Sequence, residues 1–214
     1  MFKAVIFDLD GTLIDTEKYY KIAWQAAFKH FGYSMTDDQY LSIRSLGKPF
    51  VQKTLKDYSN DSFFDYDEVK AYRNTLMKEL LEKNGVEAKK GARELLTFLK
   101  KKRIVCAVAT ASPAARAERF LSETGLLSYF DKIISASDMK EGKPSPYVYA
   151  YAVKELELLP EECLAVEDSP NGVLSAYRAG LKVAIVPDQA PCDWETKKLL
   201  FAEKKDLSEI VELV

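Results

Sequence analysis

The sequence is poor in two residue types, histidine and cysteine, that catalytic and metal sites often use. It has one histidine, His30, in 214 residues. A multi-histidine zinc site is therefore excluded, and a Ser-His-Asp or Cys-His scheme would have to run through that single side chain. His30 falls near the end of a helical pattern, where a cation suits the helix dipole, and reads as a surface or core residue. Cysteine is equally sparse. Cys106, Cys163 and Cys192 lie too far apart for a CxxC pair, and the first two sit inside apolar runs as small core residues. An odd, low count suits a reducing compartment, so a cytoplasmic protein is expected. No apolar run is long enough to span a membrane, and the first residues meet Asp8 too soon for a signal peptide. Charge of either sign is not in excess. Lys+Arg is 31 against Asp+Glu 33, a net charge of -2, so nothing drives binding to a nucleic-acid backbone.

What is present describes a globular enzyme-sized chain. Hydrophobic residues make up 47% and charged residues 30%, which excludes disorder. The length suits one domain, or one domain with a modest insertion. Five short apolar runs, 3–7, 104–109, 132–135, 163–166 and 182–186, are continuous rather than alternating, as in parallel strands covered on both faces. Helical patterns at 92–102, 113–124, 146–156 and 170–179 separate most of them. The alternation predicts an α/β fold with a Rossmann-like, doubly wound parallel sheet.

The first connection breaks this rhythm, with about 80 residues where a short loop would do. Within it Tyr20, Ala23, Trp24, Ala27, Phe28 and Phe31 recur at helical spacing, as do Val69, Tyr72, Leu76 and Leu80. Shorter helical pieces fit 37–43 and 49–58. Residues 15–87 are therefore expected to form a four-helix-type cap inserted into a core made of 1–14 and 88–214. Leaving from the end of the first strand, the cap would sit over the sheet's carboxyl edge, where open α/β sheets bind ligands.

The chemistry gathers on that edge. Asp8 and Asp10 follow the first strand, and Glu167 and Asp168 follow the fourth. Four carboxylates brought together repel unless a cation neutralises them, and oxygen-only ligands suit Mg²⁺. Three segments place Ser-Pro before a helix: Ser112-Pro113, Ser145-Pro146 and Ser169-Pro170. Serine is expected as N-cap in each, with proline at the first helical position. Free helix N–H groups, Lys143 and the Thr110 hydroxyl would then favour a dianion, and phosphate is the natural tenant.

Asp8-x-Asp10-Gly-Thr, Thr110 after a strand, Lys143 in Gly-Lys-Pro, and Glu167-Asp168 resemble the four signature motifs of the haloacid dehalogenase-like hydrolases, in order across nearly the whole chain. An insertion after the first motif resembles the helical-cap subgroup, which includes sugar-phosphate phosphatases and β-phosphoglucomutases. The resemblance implies a core of five parallel strands under a mobile cap. It implies that Asp8 is the nucleophile and forms an aspartyl-phosphate. Asp10 would be the general acid and then the base, a role that needs a carboxyl protonated near neutral pH. Thr110, Ala111 and Lys143 would hold phosphoryl oxygens. Asp8, the Asp10 main chain, Asp168 and, through water or by orienting Lys143, Glu167 would serve the metal. Ser169 and Asn171 could support them from behind.

Named dehalogenases of the superfamily manage without the second aspartate, so Asp10 favours phosphorus over halide. Lys18, Lys21, Lys48 and Lys53 read as solvated charges, not as the Schiff-base lysine of the phosphonate-cleaving branch. Within the cap, Tyr20 could touch substrate or belong to the apolar stripe with Trp24. Arg44 and Lys48 flank a turn at Ser45-Leu46-Gly47 that could face the site. Mutase-like members usually carry Val-Ile after Asp-Gly and a histidine early in the cap; here Thr12-Leu13 and Tyr20 stand there. Hydrolysis of a small phosphorylated metabolite is thus expected, with phosphoryl transfer between sugar hydroxyls as the alternative. A cap that already covers the site needs no partner subunit, so a monomer is expected.

Overall fold

The computed structural model describes residues 2–137 and 139–214; positions 1 and 138, both inside the expected core segments, lie outside the described residues. Six strands form one parallel sheet: β1 (Ala4–Phe7), β2 (Val105–Thr110), β3 (Lys132–Ser135), β4 (Cys163–Glu167), β5 (Lys182–Ile185) and β6 (Ala202–Glu203), in the order β3-β2-β1-β4-β5-β6. Helices α5 (Ala92–Lys102), α6 (Ala114–Glu123), α7 (Tyr147–Glu155) and α8 (Pro170–Arg178) cover its faces, and a short α9 (Trp194–Lys197) precedes β6.

The strand residues divide between two covered faces of the sheet. Val5, Phe7, Val108, Leu164 and Val166 pack with Leu95, Leu99, Phe120 and Leu121 from α5 and α6. The alternate residues, among them Ala4, Ile6, Ala107, Ala109, Ala165 and Val183, meet Tyr149, Ala152, Val173 and Ala176 from α7 and α8. Successive strand residues point to opposite faces, so the runs are apolar throughout because both faces are covered. The register aligns Phe7 with Val108 and Val166. Asp8 and Glu167 therefore emerge side by side at one edge.

Between β1 and α5 lie α1 (Glu17–His30), α2 (Asp37–Ile43), α3 (Phe50–Ser59) and α4 (Tyr66–Asn84). They share their own core, built on Trp24, Ala27, Phe28, Tyr40, Leu55, Phe64 and Val69. Thr36 opens α2 with a capping box to Gln39, and Asp65 caps α4 through the N–H groups of Asp67 and Glu68. The chain leaves and re-enters through adjacent segments: Asp15 N–H donates to Glu87 O, and Lys89 N–H to Leu13 O, both at 2.9 Å.

The expected strands and helices are present with ends shifted by one or two residues, the usual scatter at element termini. Three details differ. β6 is a sixth strand, and its two residues are too few to show any periodicity. The buried positions of α4 are Tyr66, Val69, Arg73 and Met77; of the expected stripe Val69 is buried and Tyr72 packs half-buried on the cap core, while Leu76 and Leu80 are only half-buried, because an arginine occupies a core-facing position. Of the three expected serine caps only Ser169 acts as one, accepting from Gly172 N–H. The other two helices begin after Pro113 and Pro146; the Ser112 hydroxyl donates to Asp10 instead, and the Ser145 carbonyl accepts from the Ser175 hydroxyl.

Candidate active site

β1 and β4 deliver three buried acids to one point. One oxygen each from Asp8, Glu167 and Asp168 lies within 4.8 Å of the others. Lys143, fully buried, binds Asp8 Oδ1 at 2.5 Å and Glu167 Oε1 at 2.6 Å. Tyr149 donates to the same Glu167 oxygen at 2.6 Å. A Cβ on Gly172 would stand 2.0 Å from Glu167 Oε2, so the first turn of α8 closes on that carboxylate only because residue 172 lacks a side chain.

The electrostatics of the cluster are unbalanced. Burial, with the charges of Glu167 and Asp168 added, raises the Asp8 carboxyl well above the usual range despite Lys143. Burial also raises Asp168, against the pull of Arg44. Burial works against the Lys143 ammonium, but Asp8 and Glu167 outweigh it and hold its pKa above the ordinary lysine value. Asp8 Oδ2 and Asp168 Oδ1 are buried with no hydrogen-bond partner among the described residues. Orphaned oxygens on crowded acids are the donor set a hard cation requires, so these residues fit a bound divalent metal.

Asp10 stands apart from this triad. Thr16 donates to its Oδ1 at 2.6 Å and Ser112 to its Oδ2 at 2.8 Å, which fixes both oxygens. Ser112 thus orients Asp10 instead of capping α6. Thr110 Oγ1 accepts from Ser112 N–H at 3.0 Å and donates to none of the described residues. Thr110, Ala111, Asp8 and Asp10 line a cavity of about 610 Å³ between cap and sheet edge.

The cap closes this cavity through specific contacts. Arg44 Nη1 reaches Asp168 Oδ2 at 3.2 Å. Asn171 at the start of α8 donates to the carbonyls of Ser42 and Arg44, both at 2.9 Å. Gly47 N–H donates to Lys143 O at 2.9 Å, and Gly142 N–H to Lys48 O at 2.8 Å. The two glycines touch backbone to backbone: a Cβ on either would come within 2.6 Å of the other's Cα. Arg44, Lys48 and Tyr20 all line the cavity, Tyr20 while also packing against the cap core.

A family model for haloacid dehalogenase-like hydrolases matches residues 5–186. The chain belongs to this family. It is 34% identical over 185 residues to the phosphorylated carbohydrates phosphatase of Thermotoga maritima, covering 84% of this chain and 82% of that protein. It is 32% identical over 193 residues to hexitol phosphatase A of Escherichia coli, covering 89% and 85%. The β-phosphoglucomutase of Clostridium difficile superposes with a TM-score of 0.83 at 23% identity, covering 98% of this chain and 93% of that one, a likeness of fold. The curated relatives place the chain among the family's phosphatases.

Beside the residues that carry the family motifs, the site contains several that sequence reasoning passed over. Glu17 is buried in the cavity wall, its carboxylate and main-chain oxygen both accepting from the Tyr40 hydroxyl. Burial above all pushes its carboxyl up to about 8. In the sequence it reads as an ordinary first-turn helix acid. Tyr149 reads as part of an apolar helix face, and Arg73 and Arg116 as surface charges. His30 is exposed and stacks on Tyr72, 3.9 Å between centroids, away from the cavity. All three cysteines are buried and free.

Proposed function

We propose that this hydrolase is a Mg²⁺-dependent phosphatase that releases phosphate from a small phosphorylated sugar or polyol through an aspartyl-phosphate on Asp8. The observation that carries the reading is Asp8 itself: one oxygen is anchored by Lys143, the other is unpartnered, and the residue lies on the wall of a cap-covered cavity. Mg²⁺ would be held by Asp8, Asp168, the Asp10 carbonyl and Glu167, and when bound it supplies charge neutralisation between carboxylate and phosphate.

The chain's own groups perform the transfer. Asp8 attacks phosphorus in line while the bond to the leaving oxygen breaks. Asp10 gives its proton to that oxygen, positioned by the Thr16 and Ser112 hydroxyls. In the second half Asp10 takes a proton from water, water attacks phosphorus, and the phosphorus–Asp8 bond breaks. Lys143, the free Thr110 hydroxyl proton and the Ala111 backbone would hold the phosphoryl oxygens throughout. Tyr149 and Glu167 keep the Lys143 ammonium aimed at Asp8.

Phosphate release from a panel of sugar phosphates, with and without Mg²⁺, tests the reading. Mg²⁺-dependent release that disappears in Asp8→Asn supports it. Conversion of β-glucose 1-phosphate to glucose 6-phosphate without phosphate release would replace hydrolysis with a mutase reaction.

A further inference from the structure

The same cavity has a second charged region of opposite sign, built from other elements. Lys70 and Arg73 on α4 and Arg116 on α6 all line it. Arg73 is only 7% exposed, yet its Nε and Nη1 are buried without a partner among the described residues. Its guanidinium is held by stacking, 4.5 Å from the Trp24 ring centroid and 5.2 Å from that of Tyr20. Arg116 Nη1 donates to the Tyr20 hydroxyl at 2.5 Å, a neutral partner. No ion pair among the described residues includes Lys70, Arg73 or Arg116, whereas the neighbouring Lys48 has Asp67 at 3.4 Å. Burial and the charges of Lys48, Arg73 and Arg116 hold the Lys70 ammonium below its usual pKa, with Asp67 opposing. A buried, unpaired guanidinium is costly to the fold. Arg73 bears that cost with half-buried Lys70 and Arg116 beside it, and three cations sharing one cavity make sense when a ligand brings the missing charge, because guanidinium and ammonium groups bind phosphate and carboxylate strongly.

We propose that Arg73, Arg116 and Lys70 bind a second anionic group on the leaving-group side of the substrate. The preferred substrate is then a phosphorylated sugar that carries another anion, either a second phosphate or a carboxylate, in preference to a neutral sugar monophosphate. The inference rests on the phosphatase reading above and narrows its substrate class. The phosphoryl group being transferred sits with Lys143 and Thr110; the distal anion sits with residues from α4 and α6, and Tyr20 links them by stacking under Arg73 and hydrogen-bonding Arg116.

The test compares matched substrates that differ only in the distal group. Fructose 1,6-bisphosphate is set against fructose 6-phosphate. Acids of three, four and six carbons are set against their alcohols: 3-phosphoglycerate against glycerol 1-phosphate, 4-phosphoerythronate against erythritol 4-phosphate, and 6-phosphogluconate against glucitol 6-phosphate. The expected result is a kcat/KM ratio of about tenfold or more in favour of the anionic member in at least one pair, carried mainly in KM. That ratio falls toward one in Arg116→Gln and in Lys70→Gln, both half-buried positions, and in Arg73→Gln where that variant folds. The bisphosphate and acid arms tell phosphate from carboxylate. Equal or better turnover of the neutral member in every pair would overturn the proposal. Release from none of them would count against the phosphatase reading instead, and calorimetric binding of fructose 1,6-bisphosphate and fructose 6-phosphate to the wild-type protein and Arg116→Gln would then decide. A preference for the bisphosphate that the variant loses supports the distal site, and equal affinities refute it.

Discussion

Asp8, Glu167 and Lys143 form one buried unit in which each charge is tolerated because of the others. Removing the cation leaves two acids facing each other without water, and breaking such a unit costs about 3–5 kcal/mol. Lys143→Met should therefore lose activity and also unfold at a clearly lower urea concentration, a result that a purely phosphate-binding lysine would not give. Gly172→Ala forces a methyl into Glu167. A loss of about 1–3 kcal/mol is expected for overpacking of this kind, read from the same urea midpoint. The residues of the first rank were legible in the sequence because acids placed directly after apolar strands have few structural reasons to be there. Glu17, Arg73 and Arg116 were not. Each sits on a helix where charged residues are ordinary, and only the packing of α1, α4 and α6 around the cavity turns them inward.

At the scale of elements, the decisive contact is the meeting of the cap turn at Gly47 with the core loop at Gly142. Gly47→Ala should hold the two apart. The expected outcome is a loss of about tenfold or more in kcat/KM with little change in the urea midpoint, since the collision concerns closure and not the core of either part. Glu17, in the first turn of α1 and held by the Tyr40 hydroxyl of α2, gives the fold a pH dependence. Its carboxyl is near 8 when folded and near the usual value of about 4.5 when unfolded. The folded chain therefore binds the extra proton, and this group's contribution is fully present below about pH 4.5 and is lost as pH rises to about 8. In metal-free protein, Glu17→Gln should flatten the decline of stability over that window by up to about 1.4 kcal/mol per pH unit. An unchanged slope would assign the decline to other groups. The elements themselves were largely readable. Strands covered on both faces leave continuous apolar runs, and the long first connection announced an insertion. The two-residue β6 leaves no pattern, and the α4 face departs from simple periodicity because Arg73 occupies a position that periodicity reserves for apolar residues. Ser112 was misjudged for a local reason: its hydroxyl serves Asp10 more closely than the helix end that follows it.

For the whole molecule, a cap with its own core stands on a parallel sheet, and the acids between them are held apart from solvent. On the proposed reading, the uncompensated oxygens of Asp8 and Asp168 would make the fold sensitive to divalent metal. Mg²⁺ at a hundredfold excess over its dissociation constant should stabilise the protein by about 2.7 kcal/mol against urea. Asp168→Asn should abolish most of that gain, and an equal gain in the variant would place the metal elsewhere. The proposed reaction is covalent, with the phosphoryl group passing through Asp8. Wild-type enzyme mixed with Mg²⁺ and substrate, quenched in acid within a single turnover and digested for mass spectrometry, tests it most directly. The account predicts a phosphoryl group on the peptide that contains Asp8, convertible to homoserine at position 8 by borohydride and absent from Asp8→Asn. Turnover with no phosphoryl group on that peptide at any quench time, or full turnover in Asp8→Asn, would contradict it.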